Sequence, residues 1–131
     1  MHGGWKRGVV LAWALWAAAG IVAASGTAAS DELVDLAVTN RKPVIADFGL
    51  GRCLQCRKQS ETLERIRATH GDRVLIRMVN VSREHSLTDR YGVEWIPTLV
   101  FFDAGGKVVR KQVGPMDYDA IRDQLSRMGV K

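Results

Sequence analysis

The most informative segment of this chain, residues 47–59, reads Asp47-Phe48-Gly49-Leu50-Gly51-Arg52-Cys53-Leu54-Gln55-Cys56-Arg57-Lys58-Gln59. An apolar run precedes this segment, and a charged stretch with helical periodicity, residues 54–70, follows it. The pattern predicts a buried strand, a glycine-containing turn, and a helix with Cys53 in its first turn. A thiol at a helix N-terminus lies near unpaired N–H groups and the positive end of the helix dipole, which favour the thiolate. Cys56 is close enough in sequence to form a small disulfide with Cys53.

The two cysteines are open to other interpretations. They could be inert core residues, although a pair directly after a strand and turn is unusual in that role. They could also be half of a zinc site, which needs about four ligands. The available histidines are His2, His70 and His85, and none forms a second ligand pair at zinc-finger spacing. Redox chemistry is therefore favoured, and we expect neither His70 nor His85 to be catalytic.

Length and composition predict one globular domain. The chain has 131 residues, of which 47% are hydrophobic and 25% charged, a balance typical of folded proteins. Its formal net charge is +5, but basic and acidic residues alternate and form no long run. This distribution argues against nucleic-acid binding. We expect the protein to be a monomer.

The first 29 residues have the pattern of a targeting segment. Lys6 and Arg7 precede an unbroken apolar run, residues 9–24, and small, weakly polar residues follow it. This order predicts a secretory signal peptide, cleaved after Ala24 or Ala29. The alternative is an uncleaved anchor, although the apolar run is shorter than the roughly 20 residues of a membrane-spanning helix. In both cases residues 30–131 form an exported domain, periplasmic or otherwise extracytoplasmic, which residues 9–24 would anchor to the inner membrane if uncleaved.

Export affects the interpretation of the cysteines. Disulfides persist in oxidising compartments, so the pair could be structural. A Cys-x-x-Cys loop, however, is too short to constrain much of the unfolded chain and would contribute little stability. In an oxidising compartment, the pair is therefore better interpreted as a redox-active disulfide than as a structural one.

The remaining pattern predicts alternating helices and strands. Helices are expected at 30–40, 53–69, 82–90 and after Asp117, and strands at 44–48, 73–81, 96–102 and 107–113. Ser30, Ser82 and Asp117 are the predicted N-caps, and Gly71 is the predicted end of the second helix. The first half has βαβ character, and a glycine-rich turn at 103–106 predicts a hairpin in the second half. Together these features predict an α/β fold, a mixed four-stranded sheet with helices on both faces.

Asp47 is the anomalous residue of the first strand. The run from Val44 to Phe48 is otherwise apolar, and a carboxyl group there is costly unless it has a partner or a task. One interpretation is a strand-end aspartate that accepts hydrogen bonds from nearby backbone. The other is a functional carboxylate beside the cysteines.

Several segments of the chain resemble the thioredoxin-like superfamily. The matching residues are Asp47-Phe48, Cys53, Cys56, Tyr91-Gly92-Val93, Ile96-Pro97-Thr98 and Gly114, and the resemblance covers about residues 31–128. Within the superfamily, the chain is most similar to the exported C-terminal domain of the thiol:disulfide interchange reductase DsbD. That similarity rests on Asn80-Val81, Phe101-Phe102-Asp103 and residues 113–117.

The resemblance implies a role for each site residue. Cys53 would attack substrate disulfides, Cys56 would resolve the mixed disulfide, and Asp47 would carry the proton of Cys56. Pro97 would be a cis-proline facing the disulfide, and the backbone of Ile96 would pair with an extended substrate segment. The redox-active Cys53–Cys56 disulfide would need no other cofactor and no metal. Its partners would be protein thiols and disulfides, together with an upstream thiol electron donor in the membrane or in solution.

The site departs from thioredoxins in its flanking residues. Arg52 replaces the tryptophan that precedes the first cysteine, and Leu54-Gln55 replaces Gly-Pro. Arg52, Arg57 and Lys58 bring positive charge, which favours the thiolate and makes a disulfide more oxidising. A buried carboxylate acts in the opposite direction, so only the resemblance favours a reductase over an oxidase. We therefore expect an exported thiol–disulfide oxidoreductase, with a redox-inactive binding module or a metal-binding protein using the two cysteines as alternatives.

Overall fold

The structure is a computed structural model that describes residues 30–131. The predicted signal peptide or anchor, residues 1–29, lies outside the described residues. The elements are α1 (Glu32–Asn40), β1 (Val44–Gly49), α2 (Leu54–His70), β2 (Leu75–Asn80), α3 (His85–Arg90), β3 (Thr98–Phe102), β4 (Val108–Val113) and α4 (Tyr118–Arg127), with a 3-10 turn at Gly71–Arg73. Their order is the predicted one. Within residues 30–131, no helix has the length and hydropathy needed to cross a bilayer.

The four strands form one mixed sheet in the order β2-β1-β3-β4. The connection from β1 through α2 to β2 makes the first two strands parallel, whereas β3 is antiparallel to both β1 and β4. β1 and β3 occupy the centre, which explains why the sequence of each is almost continuously apolar. The predicted parallel pair and hairpin are therefore confirmed.

Helices cover both faces of the sheet, as predicted. The largest apolar side chains between the sheet and α2 and α4 belong to Ile45, Leu63, Ile66, Leu99, Phe101, Ile121 and Leu125. The opposite face packs against α1 and α3 through Leu33, Ala37, Val44, Ala46, Phe48, Val100, Phe102 and Leu87. Because side chains alternate along a strand, Asp47 lies on the same face of β1 as Ile45, towards α2.

The N-cap of α1 is Asp31, and the predicted cap, Ser30, was wrong by one residue. The Asp31 carboxylate accepts hydrogen bonds from the backbone N–H groups of Leu33 at 3.0 Å and Val34 at 3.5 Å. It also accepts one from the Tyr91 hydroxyl and lies 3.3 Å from an Arg90 nitrogen. The choice of cap therefore depends on α3 and the residue after it, which lie far away in sequence.

The start of α3 was also predicted wrongly. The Ser82 hydroxyl donates to Asn80 Oδ1 at 2.7 Å, and the helix begins only at His85. The predictions at the other ends hold, since Gly71 is the C-cap of α2 and Asp117 Oδ1 accepts from the Ala120 N–H at 2.8 Å. Serine near a helix start is a weak signal when another hydrogen-bond partner is nearby.

Candidate functional site

The sheet register brings the predicted site residues to one end of the molecule. Phe48 pairs with Thr98, so Gly49 at the end of β1 lies level with Pro97, which precedes β3. A Cβ atom on Gly49 would lie 3.2 Å from the Cys56 sulfur, which shows how closely the end of β1 approaches α2. Glycine at position 49 therefore allows the close contact between β1 and Cys56.

Cys53 and Cys56 are joined by a disulfide, with their Cα atoms 5.1 Å apart. Cys53 is the N-cap of α2, and its sulfur accepts a hydrogen bond from the Cys56 N–H at 3.2 Å. The Cys53 side chain is partly exposed, whereas Cys56 is buried in the first turn of the helix. The helix start therefore presents one accessible sulfur beside unpaired N–H groups and shields the other from solvent.

Asp47 is buried without any hydrogen-bond partner. Its side chain is 1% exposed, and neither carboxylate oxygen has a partner within residues 30–131. Desolvation disfavours the ionised form, so burial raises the pKa of Asp47 to about 6. The interpretation of Asp47 as a strand-end aspartate bonded to backbone does not fit this environment. Its carboxyl group changes charge close to neutral pH instead.

A pocket of about 190 Å³ connects the carboxylate to the disulfide. Asp47, Cys56, Arg57 and Ser60 line it on the β1 and α2 side, and Met78 and Asn80 of β2 are on its far side. A cavity needs only about 10–15 Å³ of accessible volume to admit a water molecule. The pocket is therefore large enough to hold water beside residues 47 and 56, both of which line it.

Positive charge surrounds the disulfide. Arg52, Arg57 and Lys58 are exposed, and none of them forms an ion pair within the part of the chain that the structure describes. No acidic residue lies between Phe48 and Ser60. The expectation that these charges favour the thiolate of Cys53 stays a prediction.

Hydrogen bonds hold the cis-proline loop at both of its ends. The Ile96–Pro97 peptide bond is cis, Pro97 is buried and Ile96 is partly exposed. The Pro97 carbonyl accepts a hydrogen bond from the Gly114 N–H at 2.8 Å, and the Thr98 hydroxyl donates to the Trp95 carbonyl at 2.6 Å. Ile96 itself makes no backbone hydrogen bond within residues 30–131, so its backbone groups are open to an extended partner segment.

Sequence reasoning missed Gln59, a buried amide of α2. Its Nε2 donates to the Met116 carbonyl at 3.1 Å, and its Oε1 accepts from the Met116 N–H at 2.7 Å. Gln59 is only 1% exposed and lies one turn beyond Cys56 on the inward face of the helix. An amide on an otherwise apolar helix face was the available signal. The paired hydrogen bonds join α2 to the loop after β4.

Two large apolar side chains near the disulfide were also missed. Trp95 is 72% exposed just before the cis-proline loop, and Leu54 is 58% exposed directly after Cys53. Leu54 lies next to Cys53 in sequence, and Trp95 lies two residues before Pro97.

The histidines lie apart from this arrangement. His70 is buried at the C-terminal end of α2, and its Nδ1 is 3.2 Å from the Ile66 carbonyl. His85 is exposed at the start of α3. Among the residues that the structure describes, no group of three or more His, Cys, Asp or Glu side chains is arranged to hold a metal ion.

Comparison with known proteins gives a consistent result. The family model described as thioredoxin matches residues 27–127. A thioredoxin from Alicyclobacillus acidocaldarius is 32% identical over 90 residues, which cover 69% of this chain and 85% of that protein. A thioredoxin from Streptomyces clavuligerus is 37% identical over 75 residues, or 57% of this chain and 68% of that one. The solved structure of a mutant thioredoxin from Halobacterium salinarum superimposes with a TM-score of 0.64 at 32% identity, covering 76% and 84% of the two chains.

Proposed function

Because this chain belongs to the thioredoxin family and is a thiol–disulfide oxidoreductase, we propose that it is an exported reductase of protein disulfides. The observation that carries this proposal is the environment of the two sulfurs. Cys53 is accessible at the start of α2, while Cys56 is buried beside a pocket that it shares with Asp47. One sulfur can therefore meet a partner, while the other is held back for the second step.

The reaction has two displacement steps. The Cys53 thiolate attacks one sulfur of the partner's disulfide, that S–S bond breaks, and the departing thiolate takes up a proton. Cys56 then loses its proton and attacks the Cys53 sulfur, which releases the partner as a dithiol and forms the Cys53–Cys56 disulfide. Two electrons pass to the partner in each cycle. A dithiol donor, in the membrane or in solution, must reduce the Cys53–Cys56 disulfide again.

Asp47 is proposed as the base for the second step. A general base works best when its pKa is close to the operating pH, and burial places the pKa of Asp47 at about 6. The pocket that both Asp47 and Cys56 line supports this role. Asp47 would therefore accept the proton of Cys56 as that sulfur becomes a nucleophile.

Ile96 and Pro97 are proposed to hold the partner segment. The open backbone groups of Ile96 lie at the same sheet end as the disulfide, where an extended chain can add like a short strand. Pairing of this kind uses main-chain atoms only. It would therefore accept partners of different sequence and hold a cysteine of the partner close to Cys53.

The direction of electron flow and the location of the protein are proposed from the sequence. A reductase is proposed from the sequence resemblance of residues 80–81, 101–103 and 113–117 to the exported domain of DsbD, while the arginines that flank Cys53 in sequence favour a more oxidising disulfide. Lys6, Arg7 and the apolar run at 9–24 support export through a signal peptide or an anchor. A measured reduction potential near that of cytosolic thioredoxins would support the reductase, and a value near that of strong periplasmic oxidants would overturn it.

The division of labour between the cysteines can be tested by trapping. Cys56→Ser should accumulate covalent complexes with partner proteins, because the mixed disulfide on Cys53 then has no resolving thiol. Cys53→Ser is the matched control and should trap few or none, because Cys56 is buried. A reducing agent should cleave these complexes, and the released partners should be extracytoplasmic proteins. Equal trapping by both variants would overturn the proposed mechanism, and trapping of cytoplasmic proteins alone would overturn export.

A further inference from the structure

The surface around the disulfide combines exposed apolar side chains with unpaired cations. We define the disulfide rim as Arg52, Leu54, Arg57, Trp95 and Val113. Leu54 follows Cys53, Trp95 precedes the cis-proline loop, and Val113 pairs with Thr98 at the same sheet end. The three apolar side chains are between 52% and 72% exposed. The rim therefore offers apolar contact on several sides of the accessible sulfur.

The two arginines of the rim are exposed and unpaired. Among the arginines of residues 30–131, those that form ion pairs with carboxylates are Arg67, Arg77, Arg90 and Arg122. Arg52 and Arg57 form none within residues 30–131, and both stand beside the cysteines in sequence. Asp47 lines the same pocket as Arg57 but accepts no hydrogen bond from it, so the charge of both arginines is available to a partner.

Other charged residues near the rim are Lys58 and Glu94. Lys58 does not line the pocket beside Cys56 but a separate one, which it shares with Asp117. Glu94 is exposed next to Trp95. Glu94 therefore places a carboxylate next to Trp95, with the Lys111 ammonium bonded to the Gly92 carbonyl nearby, whereas the loop before Cys53 carries Arg52 and no acidic residue.

From this arrangement we infer that the preferred partners carry an acidic side chain next to the reactive cysteine, on the side that faces Arg52 and Arg57. An apolar side chain of the same segment contacts Leu54 or Trp95. This inference rests on the proposed function, because it names the substrate class of the same disulfide. Exposed charges attract a partner before contact and are screened by salt, with a Debye length of about 10 Å at 0.1 M.

The test uses three synthetic peptides, each with one intramolecular disulfide and identical except for Asp, Asn or Lys after the target cysteine. The reduced full-length protein should react with the Asp peptide about tenfold faster than with the Lys peptide at low ionic strength, with the Asn peptide in between. Raising the salt concentration should compress the three rate constants towards one value. Three equal rate constants at low salt would overturn the inference while leaving the reductase activity intact.

Matched variants separate docking from activation of the thiol. Arg52→Gln and Arg57→Gln also alter the reactivity of Cys53, so the readout is the ratio of the Asp to the Lys rate constant within each variant. This ratio should fall towards one in both variants, and Arg57→Lys should retain it. Lys107→Gln removes the same charge from the exposed turn between β3 and β4, at the far end of the sheet, and should leave the ratio unchanged. A ratio that survives in the double variant would overturn the role of the arginines.

The contact of the partner's apolar side chain with Leu54 or Trp95 is tested separately. A second peptide pair carries Leu or Ser two residues from the cysteine, and the Leu peptide should react several-fold faster with the wild-type protein. Trp95→Ser together with Leu54→Ser should remove that preference without changing the ratio for the Asp and Lys peptides. If no peptide is reduced by any variant or by the wild type, the proposed reductase function fails as well, which distinguishes the two failures.

Discussion

Asp31 and Asp47 are two carboxylates of the same domain in opposite environments. Burial alone would raise the pKa of Asp31, but hydrogen bonds from Tyr91, Arg90 and the backbone of α1 outweigh it and lower the value overall. Asp47 experiences burial with no compensating partner, and its pKa rises to about 6. One carboxylate is saturated with donors and the other has none.

The difference separates a structural carboxylate from one that is available for chemistry. A carboxylate surrounded by donors stays ionised and cannot easily accept a proton, so Asp31 can hold α1 in place but cannot act as a base near neutral pH. Asp47 destabilises the fold whenever it is ionised, because a buried charge without partners is costly. In the proposed mechanism, the task of this costly carboxylate is proton transfer to and from Cys56.

Replacing Asp47 is expected to have its largest effect on the rate of disulfide exchange. Asp47→Asn removes the proposed base and should slow disulfide exchange at pH 7 by roughly 10²-fold, a typical contribution of general acid–base catalysis. The wild-type rate should rise as the pH passes through about 6, and that inflection should be absent from the variant. Stopped-flow reduction of a disulfide peptide measures both. Asp31→Asn is the control and should keep the wild-type profile; an unchanged rate for Asp47→Asn would argue that Asp47 takes no part in proton transfer.

The next effect is on stability, and the disulfide form isolates it because no thiol titrates. Since the pKa of Asp47 is higher in the folded state than its ordinary value of 3.8, the folded state binds more protons between these values. The free energy of unfolding of the wild type should therefore fall by up to about 3 kcal/mol from pH 4 to pH 7, relative to Asp47→Asn. Urea denaturation at several pH values measures the difference.

Asp31→Ala provides the opposite case in the same experiment. The loss of the cap and its partners should destabilise the domain by about 1–2 kcal/mol at pH 7. Because the pKa of Asp31 is lowered on folding, this stabilisation is present above about 3.8 and disappears as the pH falls through the lower folded value. Parallel pH dependences for the two variants would contradict the contrast between the carboxylates.

The smallest effect comes from giving Asp47 a partner. Met78 is its Cα partner on β2, lines the same pocket and is 45% exposed, so a lysine there could place its ammonium group beside the carboxylate. Met78→Lys should lower the pKa of Asp47 and move the inflection of the rate profile down by about one pH unit. Met78→Leu keeps the pocket apolar and should leave the inflection in place. An unmoved inflection in the lysine variant would mean that another group produces it.

The elements of the fold were predictable because their signals are local. The apolar runs of β1 and β3, the Cys-x-x-Cys pair and the glycine-rich turn each specify their own structure within a few residues. Asp47 could be recognised as anomalous, but the absence of a partner depends on what α2 and β2 place around it. The cap of α1 and the role of Gln59 depend on contacts with Tyr91 and Met116, about 60 residues away in each case. Such contacts leave no periodic pattern in the sequence.

Gln59 and Gly114 also have a mechanical consequence. The Gly114 N–H holds the Pro97 carbonyl, and Met116, two residues further along, is held on both its backbone groups by the Gln59 amide of α2. Hydrogen bonds therefore connect the cis-proline loop, through residues 114–116, to the helix that carries the cysteines. The cis-proline loop and the start of α2 should therefore move together when a partner segment binds. Gln59→Leu would remove this connection. It should leave the reactivity of each sulfur unchanged, but a bound segment would be positioned less precisely relative to the sulfurs.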